Sequence, residues 1–183
     1  MDILATLFPS AFPALALSHF VALLSPGPDF FLLVGYAIRY RLRGSVGLCI
    51  GIAAGNGLYI ILAVIGWGIL RHAPLLFTVI ELLGAAYLLW IGSLLLRSRP
   101  TTLALHGASA SRPPLVKQLF LGLGSSLLNP KNALFYLALM TSLLGPNVTL
   151  VQQAVSGAWM TSVVLIWDLL LVTLIALPDR KSV

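Results

Sequence analysis

The segment Ser25-Pro26-Gly27-Pro28-Asp29 lies inside an otherwise apolar run covering residues 8–38. Two prolines two apart remove backbone donors and fix φ, and Gly27 between them admits unusual φ/ψ, so a regular helix cannot pass through intact. Pro26 also drives Ser25 out of the α region. In water this would be a turn. In a run long enough to span a bilayer it is a break at membrane depth, tolerated only where the broken backbone is buried in protein or lines a polar cavity. Asp29 places an ionisable side chain at that break.

The bilayer setting follows from composition. Of 183 residues, 59% are hydrophobic and 9% charged, against roughly 25% charged in a soluble domain. Apolar stretches of about 20 residues recur along the chain, without the strict alternation of a β-barrel. The expected fold is all-α: a polytopic membrane helix bundle and a single transmembrane domain over 1–183. Five spans are expected, at 8–38, 44–70, 75–96, 117–144 and 149–177. A first half (1–97) and a second half (116–183) flank a linker (98–115) rich in Ser, Thr, Pro and Ala. The net charge of +6 comes from loop residues and does not point to nucleic acid. Cys49 is the only cysteine, so no intrachain disulfide can form. Met1-Asp2-Ile3 lacks a basic leader, so no removed signal peptide is expected.

Loop charges set a topology. The connections after spans one and three carry Arg39, Arg41 and Arg43, then Arg97, Arg99, Arg112 and Lys117. Those after spans two and four carry only Arg71 and no Lys or Arg, and the tail carries Arg180 and Lys181. The positive-inside rule puts the N-terminus outside and the C-terminus in the cytoplasm. Trp67 and Tyr87 are either interfacial anchors or ordinary lipid-facing and core aromatics.

A repeat lies beneath these spans. Span one places Ser25-Pro26 deep in an apolar run with Asp29 following; span four does the same with Asn129-Pro130 and Lys131. The two segments are three spans apart and so of opposite orientation, as in an inverted repeat of three-helix halves. Paired interrupted spans in matching halves point to a transporter's binding site.

Asp29 and Lys131 each need a partner or water, since a lone charge in hydrocarbon costs at least about 2.5–3.5 kcal/mol. Either they pair and hold the halves together, or they handle a zwitterion, with Lys131 and free N–H groups facing a carboxylate and Asp29 an ammonium. Both can hold if the pair opens for substrate. Ser25, Asn129 and Asn132 supply neutral hydrogen bonds or cap the broken helices. Asp168 in span five is a proton carrier or a structural partner of Lys131. Asn56 lines the path or bonds between helices. His19 is a packing residue or a proton relay, Glu81 a solvated interfacial carboxylate, and Tyr36 and Tyr136 cavity wall or core. Gly47, Gly51 and Gly55 form one helical face for close packing. His72 and His106 lack metal-like spacing. No HExxH, Cys/His cluster or P-loop is present, and Ser25 has no nearby base, so neither an enzyme, a metal nor a cofactor is expected.

Ser25-Pro26-Gly27-Pro28-Asp29-Phe30-Phe31, the basic turn, the small-residue second span and Asn129-Pro130-Lys131 together resemble the LysE/RhtB family of bacterial amino-acid exporters, most closely its threonine and homoserine efflux branch. The likeness covers nearly the whole chain. It implies a multi-pass, proton-driven secondary transporter of the bacterial inner membrane, exporting amino acids or close derivatives. The substrate site would comprise Ser25, Pro26, Gly27, Asp29, Asn129, Pro130, Lys131 and Asn132, and proton coupling would fall to Asp168 or Asp29. Family members continue past Leu177-Pro178 into a sixth span. The expectation here is a second half with that span missing, whose uncovered surface would favour a homodimer. An exporter of another small cation or anion on the same fold, and a non-transporting membrane scaffold, are the alternative readings.

Overall fold

The computed structural model describes residues 3–70, 75, 78–79, 82, 111–129, 131–133, 135–136 and 147–177. The described elements are helical, with no strand among them: α1 (Ile3–Leu7), α2 (Phe12–Leu24), α3 (Pro28–Tyr40), a 3-10 turn (Leu42–Gly44), α4 (Val46–Leu70), α5 (Leu115–Leu127) and α6 (Leu150–Ala176). Residues 131–133 and 135–136 are again helical. The described residues form an all-helical bundle, and α4 and α6 are each long and apolar enough to cross a membrane. The α2–α3 pair becomes a third span if its bend of 55° is counted as one broken element. Most of the expected span at 75–96 lies outside the described residues. So do 98–110 of the linker, the end of span four and the tail, with Arg71, His72, Glu81, Tyr87, Arg97, Arg99, His106, Pro130 and the Trp67 side chain.

The break in the first span follows from its residues. α2 stops at Leu24, and Ser25 turns extended at φ −78 and ψ 117, as a residue before proline must. Gly27 is extended too, and Pro28 opens α3 at its first position, where a missing N–H costs nothing. The apolar run begins at residue 8, but the long helix starts at Phe12. α1 and a turn come first, tied to the start of α6 where the Gln152 side chain donates to the carbonyls of Ala5 (2.8 Å) and Phe8 (3.4 Å). That start is itself capped: Thr149 and Gln152 exchange side-chain to backbone hydrogen bonds at both ends of a capping box. At the other end of α6, Arg41 Nη1 donates to the Ala176 carbonyl at 3.0 Å, a cation at a helix C-terminus.

α4 packs most extensively on α5. Gly47, Gly51 and Gly55 all face that helix: a Cβ at Gly51 would strike the Leu119 carbonyl and Leu123 N, and one at Gly55 would meet Ser126 Cβ at 2.6 Å. Gly122 returns the contact, its missing Cβ leaving space against the Leu48 carbonyl. Without side chains between them, the backbones close directly. Gln118, fully buried, fastens the same seam by accepting from Gly47 N at 3.0 Å and donating to the Pro113 carbonyl at 2.8 Å.

Two apolar cores result. One gathers Leu15, Ile60, Ala63, Tyr136 and Met160. The other gathers Leu33, Ala37, Leu48, Cys49, Ile52, Ala53, Val164 and Val172. Along α4, Asn56 lies between Ala53 of one core and Ile60 of the other; the first span passes from Leu15 through the break to Leu33. The polar residues are therefore held at mid-height between two packed layers.

Candidate binding site at the two helix breaks

The interruption after α5 comes against the break between α2 and α3. Asp29, in the first turn of α3, reaches across to the second break. Its Oδ1 accepts from Ser125 Oγ at 2.5 Å, and its Oδ2 accepts from Asn129 Nδ2 at 2.9 Å and Asn132 Nδ2 at 2.8 Å. Lys131 reaches the opposite way. Its Nζ donates to the Ala22 carbonyl at 2.9 Å and to the Ser25 carbonyl; the first also accepts from Ser25 N at 3.2 Å, and the second lies just past the last turn of α2, where carbonyls lack helical donors. Each charge is therefore spent across the other break, a carboxylate at a helix start and an ammonium at a helix end, as the dipoles favour. Among the described contacts Asp29 and Lys131 do not pair with each other. Pairing was one of the two arrangements open in the sequence; crossing at the breaks satisfies more backbone groups than a direct ion pair would.

Gly27 makes the crossing sterically feasible, since a Cβ there would lie 3.2 Å from Lys131 Cδ. Asn129, 2% exposed, also holds the second break from within: its Oδ1 accepts from Lys131 N at 3.1 Å. Ser126 joins this network to α4, its Oγ accepting from Asn56 Nδ2 and Asn132 Nδ2, both at 3.1 Å. Asn56 thus bonds between helices and also lines the space beside them.

That space is a cavity of about 60 Å³ walled by His19, Ser25, Gly27, Asp29, Asn56, Asn129, Lys131, Asn132, Tyr136, Trp167 and Asp168, with Phe30, Phe135 and Val164. At 10–15 Å³ per water position, it has room for about four to six waters, the scale of a small solute. The other groove, about 570 Å³ between α4 and α6, has no charged side chain in its walls and offers nothing to a zwitterion.

Of the residues singled out from sequence, Ser25, Gly27, Asp29, Asn129, Lys131, Asn132 and Asp168 meet at this cavity. Pro26 is exposed and not among its walls; it shapes the break. Pro130 lies outside the described residues. Gly47, Gly51 and Gly55 stand apart, on the α4–α5 seam. Tyr136 is cavity wall and buried core, whereas Tyr36 packs on the second core. Sequence reading missed Ser125 and Ser126. The available signal was spacing, because Ser125 precedes Asn129 by four and so shares its helical face, beside a carboxylate needing donors. His19 and Asp168, from α2 and α6, line the same cavity as the crossed charges.

The LysE type translocator family model matches residues 20–182. The threonine efflux protein of Salmonella typhi is 32% identical over 177 residues, which is 93% of this chain and 84% of that protein. The threonine efflux protein of Escherichia coli (strain K12) is 30% identical over the same shares. A leucine efflux protein of Klebsiella pneumoniae is 32% identical over 127 residues, 68% of this chain and 59% of its own length. No solved structure matches the chain. With its family model covering both helix breaks and the cavity between them, this chain belongs to the LysE family of membrane translocators.

Proposed function

We propose that this protein is a secondary transporter of the bacterial inner membrane that exports small neutral amino acids such as threonine or homoserine, driven by proton entry. The observation that carries the reading is the cavity at the two breaks. It combines two carboxylates, an ammonium, three side-chain amides and a size suited to a small zwitterion, all at mid-height between two apolar cores. Broken helices exist at membrane depth to line such spaces. The efflux proteins that the chain matches support amino acids as cargo.

In this mechanism Ser25, Gly27, Asn129, Lys131 and Asn132 bind the substrate's carboxylate end, Lys131 with the one donor of its three that the Ala22 and Ser25 carbonyls leave free. Asp29 holds the two breaks in register. The two halves, related as an inverted repeat, rock about the site to open it to either side, with the N-terminus outside. Asp168 is the better placed of the two candidate proton carriers, since Asp29 already accepts three hydrogen bonds. The test is efflux from cells loaded with labelled threonine. Export should fall steeply with Lys131→Ala and collapse on adding an uncoupler. Unchanged export in the variant would remove the site assignment, and insensitivity to the uncoupler would remove the proton coupling.

A further inference from the structure

Lys131 and Asp29 spend most of their hydrogen-bonding capacity on the protein itself; His19 and Asp168, which line the same cavity, do not. His19 is 1% exposed and Asp168 8% exposed. His19 Nδ1 and Asp168 Oδ2 have no hydrogen-bond partner among the described residues. The two come from different helices and line the same cavity. His19 Nε2 lies 3.2 Å from the Met160 carbonyl. A carbonyl only accepts, so Nε2 carries the hydrogen and Nδ1 presents a lone pair. Phe135, Tyr136 and Trp159 surround the imidazole at centroid distances of 5.8, 5.9 and 6.0 Å, which holds the ring in that orientation. The cavity therefore offers two buried acceptors, one of them a carboxylate. An acceptor left unmatched in such surroundings is costly, and its complement is a group rich in N–H.

We infer that His19 Nδ1 and the Asp168 carboxylate form the subsite for the substrate's α-ammonium group, and that a proton takes the ammonium's place on Asp168 when substrate leaves. This rests on the transporter reading of the cavity and adds to it which groups hold the amino end: His19 and Asp168, not Asp29, whose oxygens already accept three hydrogen bonds. The coupling needs no separate proton site, because ammonium and proton exclude each other at one carboxylate. The titratable groups around Asp168 are His19 on α2, Asp29 on α3, Cys49 on α4, and Lys131 and Tyr136 beyond the second break. Arg41 touches only the far end of α6. Acidification protonates Asp168 and adds charge to His19, and both changes disfavour an ammonium, so substrate affinity should drop as pH falls.

The test is equilibrium binding of labelled threonine to the full chain in lipid nanodiscs, without a gradient, at acid, neutral and alkaline pH. His19→Phe keeps the aromatic bulk and removes the acceptor; Asp168→Asn removes the charge. Each should weaken binding by about tenfold or more, and Asp168→Asn should also flatten the pH dependence. His19→Asn, which returns an acceptor near Nδ1, should recover most of the affinity, separating loss of the acceptor from misfolding. The 2-hydroxy acid bearing the same side chain, which lacks the ammonium, should compete poorly with wild type. Wild-type affinity and pH dependence in both His19→Phe and Asp168→Asn would overturn the subsite and leave the transporter standing. Failure of the wild type to bind any amino acid would overturn both.

Discussion

Asp29 and Lys131 show what a residue's place in the sequence reveals and what it withholds. That each charge sits at a break was legible, because proline beside a small polar residue inside an apolar run marks a break and a charge there must be satisfied. Which group satisfies it was not legible. Ala22, Ser25 and Ser125 enter only when the two breaks meet across about a hundred residues of chain. The same holds for His19, which looked like packing because nothing nearby in sequence reveals the Met160 carbonyl or the shared wall with Asp168. Lys131→Met should strand the Ser25 carbonyl and take from the Ala22 carbonyl the second of its two donors. Charged hydrogen bonds are worth about 1.5–3 kcal/mol, so thermal unfolding in lipid should register a loss of about 2–4 kcal/mol with export abolished. An unfolding curve matching wild type would mean that water replaces the ammonium at the α2 end. Asp29→Asn should cost less stability, since an amide oxygen still accepts from one or two of the three donors.

At the scale of elements, periodicity and punctuation carried most of the information. Glycines four apart placed one face of α4 against a neighbour, though not against α5 in particular. The Ser25–Asp29 segment marked where the first span breaks, and α2 ends just before it and α3 opens within it, because proline geometry is local. The start of the first span was less legible, since α1 and α2 are equally apolar and only Pro9 and the contacts of Gln152 divide them. Gly51→Val is the sharpest test of the seam. Its side chain would press on the α5 backbone, where overpacking costs about 1–3 kcal/mol, and protein yield in the membrane should fall. The same change at Gly35, which has open space around it, should be nearly silent. Equal effects at the two positions would contradict the close α4–α5 approach.

For the whole molecule, composition alone placed the chain in a membrane, and the pairing of two interrupted spans placed a polar cavity between them. The depth of that cavity came from neither. It is set by the two apolar cores above and below it, which only packing reveals. A carrier whose ammonium and proton share one carboxylate moves neither alone. The most direct measurement of that claim is efflux of labelled threonine from proteoliposomes holding the purified chain. With the outside more acidic than the lumen, efflux should exceed that of protein-free vesicles and slow when the pH difference is collapsed, and Asp168→Asn should lose this acceleration. Efflux equal to that of empty vesicles, or equally fast with no pH difference across the membrane, would contradict it.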